Sequence, residues 1–192
     1  MAIPEKIRLE MGLPHHYQVH VLETASPTEV VRIPNSPEPV ESLYVKVEPK
    51  HAHPWIGAFA RGFESEDLVS GIFAWPDPDS LAVVSAGYGY AGRAADPKSW
   101  VRLQPMPITD VHAMVEHKLI VFVDFTHIFA YGADKTVWKS DRISWDGITI
   151  NKVATNHLFG VAWDAMQDKE VEFAIDVRDG KHTGGAQPWS RR

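Results

Sequence analysis

His51 and His53 stand one residue apart in a 192-residue chain that carries ten histidines. Alternate residues of a strand face the same side, so His51-x-His53 on a strand would aim two imidazoles together, a geometry that chelates a divalent metal. Glu64 offers a harder oxygen ligand to complete the set, with Glu66 or the distant His20 as alternatives for that position. Such a centre would serve a metal-dependent hydrolase or an oxygenase-like enzyme. Pro54 directly follows His53 and argues that the strand ends there, which gives the competing reading of two loop histidines beside Trp55.

The remaining motifs are weaker as chemistry. Gly87-Tyr88-Gly89-Tyr90-Ala91-Gly92 has the spacing of a dinucleotide fingerprint. Its third glycine should open a helix that holds the pyrophosphate, yet Pro97, Pro105 and Pro107 interrupt the segment where that helix would run. A glycine-rich strand approached closely by a backbone or an aromatic ring explains the pattern better. Gly180-Lys181-His182 lacks the rest of a phosphate loop. Asp124, Thr126 and His127 read as the polar end of a strand, with Asp124 and Thr126 on one face and His127 on the other. That places a turn anchor there rather than a catalytic unit. Asp77 and Asp79 read as turn chemistry, and His15-His16 as part of a flexible segment. Seven tryptophans are a second surplus. Several must be core, while Trp55 and Trp189, with Tyr88 and Tyr90 at the core or its rim, are candidates for a binding surface.

Composition narrows the classes. Zero cysteines exclude disulfides, thiolate metal centres and cysteine nucleophiles, and fit a reducing compartment. A net charge of -6 and an end carrying only Arg191-Arg192 give no phosphate-binding surface, so nucleic acid is not an expected partner. Neither a signal-type start nor a long apolar window is present, so no membrane association is expected and the chain reads as cytoplasmic. No cofactor is implied beyond the divalent metal that His51 and His53 would hold.

The elements that would position these side chains are β. Leu43, Val45 and Val47 alternate with Tyr44, Lys46 and Glu48, the period of a strand with one dry face. Leu119-Ile120-Val121-Phe122-Val123 is continuously apolar, as a central strand shielded on both faces would be. Val171 to Val177 alternates and reads as an outer strand with Glu172 and Asp176 in solvent. Pro76-Asp77-Pro78-Asp79-Ser80 marks a hairpin, and Ala133-Asp134-Lys135 and Asp146-Gly147 mark further tight turns. Helix has room only near Asp96 to Val101 or Val111 to Glu116. The proline-rich residues 1–42 predict a wrapping segment with strands near Tyr17 to Leu22 and Glu29 to Ile33, residues 43–182 a β core, and residues 183–192 a polar tail, all as one domain.

Leu81 to Trp100 is echoed 38 positions later by Leu119 to Trp138, with Val83/Val121, Ala95/Ala133 and Asp96/Asp134 in register. Within the second copy, His127-Ile128-Phe129-Ala130-Tyr131, Asp134 and Val137-Trp138-Lys139 resemble the repeat of quinoprotein-type β-propellers. The resemblance implies blade-like sheets. It does not extend to quinone binding, since Lys135-Thr136 stand where that family's turn carries glycine. The expected fold is therefore all-β, with small antiparallel sheets packed propeller-like, a β-sandwich or barrel being the alternative. The leading functional reading is a recognition or interaction domain for a protein or small-molecule ligand. The alternatives are the metal-dependent enzyme at His51 and His53 and a unit that self-associates through strand edges or its aromatic tail.

Overall fold

The computed structural model describes residues 6–34, 40–63, 65 and 68–186. Apart from one 3-10 turn at Val115–His117, every regular element among them is a strand. Backbone contacts group the chain into two compact units, Met1–Pro107 and Ile108–Arg192, a boundary inside the stretch 43–182 expected to form one β core. The first unit holds β1 (Arg8–Glu10), β2 (Tyr17–Leu22), β3 (Val30–Ile33), β4 (Ser42–Pro49), β5 (Trp55–Ala60), β6 (Gly71–Ala74), β7 (Ser80–Ser85), β8 (Tyr88–Arg93) and β9 (Val101–Arg102). The second holds β10 (Asp110–Met114), β11 (Leu119–Val123), β12 (Ile128–Tyr131), β13 (Thr136–Lys139), β14 (Ile148–Val153), β15 (His157–Asp164), β16 (Lys169–Asp176) and β17 (His182–Gly184).

In the first unit, strands in the order β2-β4-β5-β3 form one sheet and β1-β6-β7-β8-β9 the other. The alternation on β4 does what its period predicts: Leu43, Val45 and Val47 turn inward and join Phe59 against Ile72, Leu81, Val83 and Tyr90 of the second sheet. Residues expected only to wrap contribute Tyr17 and Ile33 to this core. The sheets are not purely antiparallel as expected, because β1 joins β6 and β3 joins β5 in parallel. Side-chain periodicity is the same for either strand direction, so it could not have revealed this.

In the second unit the strands follow chain order, β10-β11-β12-β13 and β14-β15-β16-β17. Val121, Val123, Ile128 and Trp138 pack with Leu158, Ala162, Phe173 and Ile175 in a shared cluster. Strand β11 is buried along its whole length, with Ile120 and Phe122 as inaccessible on one face as Val121 and Val123 are on the other. The alternation on β16 is also observed, but the strand is internal, flanked by β15 and β17, and only one of its faces is wet. Val111 to Met114 is strand rather than helix, since β10 pairs residue for residue with β11, and Asp96 to Ser99 is a turn closed by the Ser99 amide on the Asp96 carbonyl.

The two similar stretches fold alike. Each forms an antiparallel pair, β7–β8 and β11–β12, then a turn at Ala95-Asp96 or Ala133-Asp134, then a tryptophan, Trp100 immediately before the next strand or Trp138 within it. The glycine-rich strand β8 also behaves as read: a Cβ at Gly92 would lie 2.5 Å from Cγ of Trp100. Replacing Gly92 by Ala should therefore overpack the strand and destabilise the fold by about 1–3 kcal/mol, seen as a lower urea midpoint at unchanged slope.

Candidate functional site

The connections at one end of the first unit's two sheets are tied to one another. They are residues 15–16 before β2, 50–54 between β4 and β5, 75–79 between β6 and β7, and 94–100 between β8 and β9. Ladder pairing stops here, and the loop backbones find partners in the neighbouring loops. The Lys50 amide donates to the His16 carbonyl at 2.9 Å, the His16 amide to the Pro78 carbonyl at 2.9 Å, and the Ala94 amide to the Asp79 carbonyl at 2.8 Å. Trp55 Nε1 closes the circuit with a 2.7 Å bond to the Ala94 carbonyl. Beneath it, Tyr17 donates its hydroxyl to the Ser80 carbonyl, and burial holds that phenol protonated far above its ordinary pKa, so it is a fixed neutral donor.

Against this circuit lies a cleft of about 380 Å³. Pro49, Ala94 and Ala95 supply its apolar wall, and His16, Lys50, His51, Asp79, Arg93 and Asp96 its polar one. His16 Nδ1 lies 3.0 Å from Asp79 Oδ1, an arrangement in which the carboxylate accepts and orients the ring. Asp96 Oδ1 accepts the Lys98 amide at 2.9 Å, and the Arg93 amide is fixed by the Ser99 hydroxyl at 2.8 Å.

Of the expected metal ligands, only His51 lines this cleft. His53 is exposed on the same connection, and neither residue is on a strand, because β4 ends at Pro49 and β5 begins at Trp55. His51 and His53 therefore do not share a strand face. Glu64 and Glu66 lie outside the described residues. His20 faces Glu48 at 3.7 Å on the β2–β4 pair, where the neighbouring Lys46 draws the Glu48 pKa down. Among the described residues no three His, Asp or Glu side chains form a group that could hold a metal ion.

The aromatic candidates separate in the same way. Trp55 is half-buried, set edge-on to Trp100 with ring centroids 5.9 Å apart, and braces the cleft from behind. Tyr90 is 1% exposed and donates to the Ala60 carbonyl, so it belongs to the core and offers no binding surface. Tyr88 is half-buried under the Arg102 guanidinium, 3.7 Å from its ring centre. Trp189 lies outside the described residues. Sequence reading misses His16, Lys50, Asp79, Arg93 and Asp96. His16 and Asp79 are 63 positions apart, one in a stretch that reads as flexible and the other in a turn, so no local spacing could join them.

In the second unit, residues 124–127 form the connection between β11 and β12 rather than a strand, which brings Thr126 and His127 together. Asp124 Oδ1 accepts the Thr126 and His127 amides, each at 2.7 Å, and the Thr126 hydroxyl at 3.1 Å; that hydroxyl lies 2.7 Å from His127 Nδ1. A chain of donation from imidazole to hydroxyl to carboxylate satisfies all three, which is turn anchoring. Burial, then repulsion from Lys139, lowers the His127 pKa against the opposing pull of Asp124. No family model matches the chain, and no curated protein matches it significantly.

Two outcomes check these assignments. Trp55→Phe keeps the ring but deletes the bond to Ala94 and should cost about 0.5–1.5 kcal/mol in chemical denaturation. His127, measured by NMR titration, should have its midpoint below the ordinary value of about 6.5. Because the unfolded chain then binds the extra proton first, stability should fall as pH drops below about 6.5 towards the folded midpoint, and His127→Gln should remove that part of the pH dependence.

Proposed function

We propose that this protein is a recognition domain whose ligand is a small molecule seated in the cleft of the first unit. The observation that carries the reading is the closed circuit of hydrogen bonds through His16, Lys50, Pro78, Asp79, Ala94 and Trp55. Loops fastened to each other before a ligand arrives lose little freedom when it binds, and preorganised walls of this kind are what binding sites require. The cavity, about 380 Å³, falls in the range of small-molecule sites, and mixed apolar and polar walls are their usual lining. Blade-like sheet units suit the same reading as a rigid scaffold. The run of consecutive antiparallel strands from β6 to β9, from β10 to β13 and from β14 to β17 supports it.

A thermal-shift screen of the full chain against a metabolite collection tests the proposal. A ligand present at a hundred times its Kd should add about 2.7 kcal/mol of stability and raise Tm by several degrees. Ala95→Trp, which fills the cleft with an indole, should abolish that shift. Stabilisation that survives the Ala95→Trp change would place the ligand elsewhere and overturn the reading.

A further inference from the structure

Resting on the cleft reading above, the geometry points to the class of ligand: we infer that the cleft grips an oxyanion, a phosphate or carboxylate group, between the Lys50 ammonium and the Arg93 guanidinium, with His51 as a further donor. The charged side chains of the cleft differ in what already meets them. Asp79 accepts from His16, and Asp96 accepts the Lys98 amide. Lys50 and Arg93 are held in place through their backbones, the Lys50 amide bonded to the His16 carbonyl, and the Arg93 amide to the Ser99 hydroxyl and its carbonyl to the Asp96 amide. Among the described residues neither cationic head has a hydrogen bond or ion pair, and the His51 ring has none either. Each acid of the cleft has a donor on one oxygen, whereas among the described residues its two cationic heads have no acceptor.

Arg178 with Asp176 and Lys181 with Asp179 show that a cation beside a turn acid can pair in this chain, whereas among the described residues Lys50 and Arg93, in a cleft that also holds Asp79 and Asp96, do not. A guanidinium offers a planar fork that matches two oxygens of a carboxylate or phosphate, and an ammonium adds a point charge from a second direction. They reach the cleft from different sheets, Lys50 following β4 and Arg93 ending β8, so an oxyanion between them would bridge both layers of the unit. The overall negative charge and the cavity size of about 380 Å³ favour a small anion over an anionic polymer.

The test is a backbone amide NMR titration of the full chain with inorganic phosphate and, separately, acetate, using methyl glucoside as an uncharged probe. Saturable shifts at Lys50, Ala95 and Asp96 are expected with phosphate or acetate, and the stronger of the two names the oxyanion. Lys50→Gln with Arg93→Gln should weaken binding at least ten-fold, while Lys98→Gln, a nearby lysine that does not line the cleft, should leave it unchanged. Anion shifts that fail to saturate, or that persist in the double variant, overturn the inference. If methyl glucoside or a screened neutral ligand binds, is blocked by Ala95→Trp, and the anions do not bind, the charge assignment fails while the cleft reading stands. If no probe or screened ligand engages the cleft, both fall.

Discussion

Strands buried on both faces can meet their backbone hydrogen-bonding needs only through neighbouring strands, and that constraint organises this molecule. β7 and β11 are shielded from water almost throughout, so each sits inside a sheet with partners on either side. Each unit then stacks two sheets over one apolar cluster. Where the ladders run out, the same need passes to the loops. In the first unit they answer it with one another, and the cleft is what their cross-bonding encloses. The candidate site is thus a by-product of finishing the sheets.

Six aspartates share a single task. Asp77, Asp96, Asp124, Asp164, Asp176 and Asp179 each accept the amide of the residue two positions on, which fixes a turn where the chain reverses. Ion pairs with Arg178 and Lys181 lower the pKa values of Asp176 and Asp179 further. Part of the negative charge of the sequence is therefore structural punctuation. In the cleft, Asp96 is committed to its turn and Asp79 to His16, and among the described residues the Lys50 and Arg93 heads beside them have no acceptor.

How much of this was legible depended on the range of the signal. The alternation in Leu43 to Glu48, the unbroken run from Leu119 to Val123 and the turn at Pro76 to Ser80 are local, and each folds as its pattern dictates. Long-range facts left no such trace. The parallel partners of β6 and β5 come from distant segments, and the boundary after Pro107 shows no shift in composition. The site shares that limitation: His51 draws notice for its neighbour His53, yet what gives His51 its setting is a loop more than thirty residues earlier and two more further on. The glycine-rich strand was legible, since Gly92 admits the ring of Trp100 as read, but whether Tyr90 sits in the core or at its rim depends on the facing sheet and was not.

One consequence of the loop circuit concerns motion. Backbone bonds from Lys50 to His16 to Pro78 and from Ala94 to Asp79, with the Trp55 indole on the Ala94 carbonyl and the chain itself joining the two runs, make the loops a single mechanical ring. Detaching any member strands a donor or an acceptor on the next, so fraying cannot begin at one loop and leave the others intact. The rim of the cleft should exchange its amide protons as a cooperative group with one shared opening free energy, behaving as a small foldon of its own although its members are scattered along the first half of the chain.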